Sequence, residues 1–74
     1  MSHAQKQVDA LVRKFRKLRI EQGVTQTKIN EETLVSRDTI AGWENFIRSP
    51  HIEKFARVLN HLGYELVIRK RKQQ

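Results

Sequence analysis

The chemistry open to this chain is that of cations and short polar side chains placed where helices begin. In "VSRDTIAGWEN", Val35 to Asn45, the Ser36 hydroxyl is suited to cap a helix, and Arg37, Asp38, Thr39, Ala41 and Gly42 follow on that helix's first turn and outward face. An arginine fork matches N7 and O6 of a guanine, a contact worth about 1 to 3 kcal/mol of discrimination between bases. The competing use of Arg37 is a bond only to phosphate or to solvent, since more than half of protein–DNA hydrogen bonds go to the backbone. Asp38 suits the positive end of the helix, and its alternative is to accept from a cytosine amino group. Thr39 offers a hydroxyl or a methyl, Ala41 a methyl for thymine, and Gly42 no side chain, so that its use is to allow close approach by DNA or by a neighbouring helix.

Fifteen Lys and Arg against eight Asp and Glu give the 74 residues a net charge of +7, which implies attraction to a polyanion, with nucleic acid foremost. The charge is clustered. Arg13, Lys14, Arg16, Lys17 and Arg19 crowd one stretch, and Arg69, Lys70, Arg71 and Lys72 are consecutive. A solvated face and a basic tail are the plainer reading of such runs.

Other classes find little support. His3, His51 and His61 lack metal-ligand spacing, no serine sits in a nucleophile elbow, and no glycine-rich loop is present to cradle a nucleotide, so neither catalysis, a metal nor a cofactor is expected. Cysteine is absent, which suits a reducing compartment. No apolar run reaches membrane-spanning length and "MSHAQKQVDA" has no signal-peptide pattern, so a cytoplasmic protein with no membrane association is expected.

The elements that must position these residues can be read from period and punctuation. Val8, Leu11, Val12, Phe15 and Leu18 follow the spacing of an amphipathic helix that Gly23 closes. Ile52, Phe55, Ala56, Leu59 and Leu62 repeat it, with Ser49 as N-cap, Pro50 at the first helical position and Gly63 at the end. Between them Thr25 caps a helix over about 26–33 and Ser36 another over about 37–44. Helices this short do not persist alone, so Ile29, Val35, Ile40 and Trp43 must pack them against the outer two. Arg19 falls inside the apolar stripe of the first helix, where a lone charge is costly, and Glu44 beside Trp43 is the acid expected to pair with it. In "YELVIR" the period changes to two, which predicts a strand over 64–69. With no partner strand in its own chain, Tyr64, Leu66, Val67 and Ile68 are expected to pair with a second copy about a two-fold axis; the alternative is an extended tail across the first helix.

A helix, a tight turn and a second helix crossing it form the helix-turn-helix arrangement, which presents the second helix to the major groove. "LRIEQGVTQTKI", "VSRDTIAGWEN" and the following "RSP" resemble, over about 8–63, the Cro/repressor or XRE helix-turn-helix family, and the C-terminal "YELVIR" looks like the ending of antitoxin-type members. The resemblance implies that Gln26 touches phosphate and braces the reading helix. Thr25, Thr27, Lys28, Ser36, Asn45 and Arg48 border the same face as weaker phosphate candidates, for which an ordinary solvated residue is the plainer reading. Three positions depart from the pattern. Asn30 replaces the alanine at the helix crossing and needs a hydrogen-bond partner there, while Leu34 and Phe46 replace glycines of the turns. Phe46 is expected either to meet a partner or to plug the surface over Pro50 and the fourth helix.

These readings converge on one mostly α domain over 1–74, a four-helix repressor-like helix-turn-helix unit (core about 8–63) with a C-terminal β-strand pairing in a dimer and a basic tail over 69–74. The expected function is a transcriptional repressor, bacterial or phage-type, that reads double-stranded DNA as a homodimer on an inverted repeat, with the nucleoid as its place when bound. The competing expectation is an antitoxin that neutralises a toxin or other protein partner and binds its operator secondarily. Nonspecific nucleic-acid binding through charge alone would show strong salt dependence without a preferred sequence.

Overall fold

In the computed structural model, which describes residues 2–72, four helices follow one another: α1 (His3–Glu21), α2 (Gln26–Thr33), α3 (Arg37–Glu44) and α4 (Ile52–His61). The starts of α2 and α3 are set as local chemistry dictates. Thr25 accepts from the Lys28 backbone N–H and Ser36 from that of Thr39, each at 3.0 Å. Ser2 caps α1 in the same way through Gln5, so this helix begins five residues ahead of Val8, in a polar stretch that carries no apolar period.

The helix ends share one solution. Gly23 follows α1 with φ 69° and Gly63 follows α4 with φ 91°, and in each case the next N–H turns back to a carbonyl of the last helical turn: Val24 to Arg19 at 3.0 Å, Tyr64 to Leu59 at 2.9 Å. Leu34 (φ 64°) and Phe46 (φ 59°) take the same left-handed geometry after α2 and α3 without being glycine. The turns therefore keep their shape at the two departures, under local strain.

Packing follows from the stripes. Phe15 of α1, Trp43 of α3 and Phe55 of α4 meet edge to face in a triangle, with centroids 5.6 to 6.4 Å apart. Val12, Ile29, Val35, Ile40, Val58, Leu59 and Leu62 complete the core, and the four residues expected to hold α2 and α3 are all buried. That burial anchors helices too short to stand alone.

Three expectations are corrected. Ser49 and Pro50 lie in a loop, and α4 starts at Ile52 with His51 at the cap position and no side-chain cap. The backbone N–H groups of Ile47 and Arg48 are still tied to the Gly42 carbonyl, so the chain uses 49–51 to cross to α4. Leu11 (47 % exposed) and Ile52 (75 % exposed) stand at the edge of the stripes rather than in the core. Finally, no strand forms among the described residues; 64–72 carry no regular secondary structure, because every other element of the chain is a helix and offers no strand edge to pair with. Leu66 packs onto the core, while Tyr64, Val67 and Ile68 are exposed. The last two residues of the expected basic tail, 73 and 74, lie outside the described residues.

Candidate nucleic-acid interface

The turn between α2 and α3 is fixed by the residue that departs from the family pattern. Asn30 Nδ2 donates to the Val35 carbonyl at 3.1 Å, and the Leu34 N–H donates to the Asn30 carbonyl at 3.0 Å. The amide thus has the partner it requires. The Thr33 hydroxyl donates to the Ile29 carbonyl and accepts from the Val35 N–H, while Arg57 of α4 donates to the Thr33 carbonyl. A cation and a hydroxyl thereby close the C-terminal end of α2.

One carboxylate joins the other side. Arg19 donates from Nε and Nη2 to the two oxygens of Glu44, each at 2.8 Å, and from Nη1 to the Val24 carbonyl at 3.0 Å. Gln26 Nε2 donates to the same carboxylate at 3.1 Å. The pair expected from the sequence is present, and it connects α1, the approach to α2, and α3. It leaves no side-chain nitrogen or oxygen among the described residues buried without a hydrogen bond.

On this frame an open hollow lies between the start of α2 and the outer face of α3, lined by Arg19, Thr25, Gln26, Thr27, Arg37, Asp38 and Ala41. The structure therefore brings together three of the five residues expected at bases and three of those expected at phosphate. Arg37 is exposed and reaches across, donating from Nη1 to the Thr27 hydroxyl at 3.2 Å. An arginine fork carries five N–H donors, so this one bond leaves others for a ligand. Asp38 is exposed in the first turn of α3, where a negative charge favours the helix end.

The other expected residues are not among those that line this hollow. Ser36 is occupied as a cap and also donates to the Thr39 hydroxyl at 2.7 Å, leaving Thr39 half-buried. Asn45 closes α3 and is exposed. Lys28 is held by Glu32 at 2.8 Å; that contact raises the lysine above its ordinary pKa and, acting in return, lowers the glutamate. Glu32 also meets His61 of α4 at 2.6 Å. Gly42 is buried, beneath the side chain of the exposed Arg48.

The roles of Arg16 and Arg13 did not emerge from the sequence. Arg16 Nε stands 3.5 Å from Glu44 with 57 % of its side chain exposed, placing a further cation beside Gln26. Arg13 lies over the Phe46 ring, 5.1 Å from its centroid. Phe46 also borders a hollow with Val8, Val12, Trp43, Arg48 and Pro50, and is itself 49 % exposed. The signal was available: Arg13, Arg16 and Arg19 recur at intervals of one helical turn on α1.

Among the described residues no group of three or more His, Cys, Asp and Glu is placed to hold a metal ion, and no helix is long and apolar enough to cross a membrane. Comparison with known families matches residues 15–68 to the helix-turn-helix model. No curated protein and no solved structure matches the chain. The matched span covers well over half of the sequence, and the chain belongs to the XRE-type helix-turn-helix family of DNA-binding regulators.

Proposed function

We propose that this helix-turn-helix protein is a sequence-specific transcriptional repressor that binds an inverted repeat in double-stranded DNA as a homodimer and blocks a promoter, its own included. The observation that carries the reading is the placement of Arg37. It stands exposed at the first turn of α3, held across the hollow by one bond to Thr27, with the Thr25 to Thr27 edge of α2 beside it. With α3 in the major groove, Arg37 meets a guanine edge, and the start of α2 and Arg16 meet the flanking phosphates.

Repression needs no further machinery in this reading. Two copies set with their α3 helices about 34 Å apart occupy adjacent major grooves on one side of the duplex and exclude polymerase. The surface that favours self-association is the apolar trough formed by Leu11, Ile52, Val67 and Ile68 over Phe55 and Leu66. The same trough supports a second reading, an antitoxin whose partner covers it, with operator binding secondary. Both readings place the protein in the cytoplasm, on the nucleoid when bound, and neither involves catalysis or a cofactor.

The test is selection from a randomised duplex pool at near-physiological salt, with Arg37→Ala in parallel. The expected outcome is enrichment of an inverted repeat whose preference flattens at one symmetric base pair in the variant. Binding that merely fades with salt, with no sequence enriched, would refute the sequence-specific reading.

A further inference from the structure

On the wheel of α3, Ile40, Trp43 and Glu44 point inward and are buried, while Gly42 falls on the opposite side, one turn after the exposed Asp38. A residue so placed should be open to solvent, yet Gly42 is buried. Arg48 covers it. A Cβ at position 42 would lie 2.8 Å from the Arg48 Nε, 3.0 Å from its Cγ and 3.1 Å from its Cδ.

The backbone sets this up. After α3 the chain turns through Phe46 in the left-handed region, and the N–H groups of Ile47 and Arg48 come back to the Gly42 carbonyl at 2.9 and 3.3 Å. Arg48 is thereby returned to the last turn of α3, with its stem laid across the helix where any side chain at 42 would project. Its guanidinium has no carboxylate partner among the described residues.

We propose that Arg48 is a base-reading residue seated on α3 by Gly42, supplying from the loop the side chain that position 42 lacks. The inference rests on the reading of α3 as the helix in the groove. The Cγ, Cδ and Nε of Arg48 lie over position 42, on the side of α3 that carries Asp38, although the same residue also borders the hollow of Val8, Val12, Trp43 and Phe46. A phosphate contact at the rim would need no such path across the helix. Packing of the stem against the helix backbone also orders the side chain before DNA arrives, so less freedom is lost on binding. The chemistry it fits is a guanine edge, N7 and O6, at a base pair distinct from the one met by Arg37.

The test uses the full chain and the duplex selection with Arg48→Ala, Gly42→Ala and the double variant. Alanine is a better helix former than glycine, and the atoms it would meet belong to a flexible side chain, so Gly42→Ala keeps the fold and moves Arg48 aside. Expected are a preference lost at the same symmetric G·C pair in both single variants, about 5- to 100-fold weaker binding to the selected site, and a double variant no weaker than either. Arg48→Ala weakening all duplexes alike, with the salt slope reduced by about one, would overturn the proposal in favour of a phosphate contact. Arg48→Ala separates base reading from phosphate binding whatever Gly42→Ala does to the fold, and unaltered binding by Gly42→Ala would overturn the seat. A wild-type chain that enriches no sequence fails before any variant is compared, and removes the reading on which the inference stands.

Discussion

Arg19 and Glu44, twenty-five positions apart, form a two-bond ion pair with both contacts at 2.8 Å, and the glutamate side chain is 4 % exposed. Removing one charge from such a pair strands the other, because Arg19 is itself 11 % exposed and cannot turn to water without opening the α1–α3 contact. Glu44→Gln keeps an acceptor but loses the charge. The expected cost is about 3 kcal/mol, near the low end for broken buried pairs, or a melting temperature at least about 10 °C lower. Thermal unfolding by circular dichroism reads this directly; an unchanged midpoint would mean that the pair does not hold the two helices.

The strained turn makes the opposite prediction. Leu34 has φ 64° and is 84 % exposed, so replacing it forfeits little burial. Leu34→Gly relieves a left-handed conformation that costs a branched residue about 1 to 2 kcal/mol, offset by about 0.4 to 1 kcal/mol of added freedom in the unfolded chain. A net gain of about 0.5 to 1 kcal/mol in urea unfolding is expected. A loss would show that the Leu34 side chain makes a stabilising contact.

How far this site was legible depends on how local its causes are. Thr25 and Ser36 cap the helices expected of them because capping involves only a few neighbouring residues. Arg19 could be matched with Glu44 because a charge in an apolar stripe demands a partner. Ser49–Pro50 carried an equally good local signal and gave the wrong start for α4, because the bonds from Ile47 and Arg48 to Gly42 hold the loop back. The cover of Gly42 by Arg48 is a product of that same return and leaves no periodic trace. Asn30 and Leu34 depart from the family pattern at the turn, and the structure shows one holding it through Val35 and the other bearing its strain.

The Lys28–Glu32 pair gives a pH prediction. The hydrogen bond from Lys28 holds Glu32 below its ordinary value of 4.5, and the same bond holds Lys28 above 10.5. A depressed carboxylate adds stability that is present above pH 4.5 and lost as pH falls through the lowered folded value; a raised lysine adds stability present below pH 10.5 and lost as pH rises through the folded value. The pair therefore acts across the neutral range. NMR titration should place the Glu32 midpoint below 4.5 in the wild type and bring it back toward that value in Lys28→Met. A wild-type midpoint at or above it would remove the contact from the solution structure.

The C-terminal segment separates folding from association. Strand alternation would put Tyr64, Leu66 and Ile68 on one face, but only Leu66 is packed on the core, and Val67 and Ile68 are 71 % and 103 % exposed. Leu66→Ala should cost about 1 to 2 kcal/mol, less than a fully buried leucine, and be visible in dilute samples. Val67→Ser with Ile68→Ser should leave the melting of a dilute sample within about 0.5 kcal/mol, since neither side chain supports the monomer. If a second copy covers the trough, the same double variant should sediment as a monomer at concentrations where the wild type is a dimer. An unchanged mass would exclude Val67 and Ile68 from the contact between copies and leave Leu11 and Ile52 as the remaining exposed apolar residues of that trough.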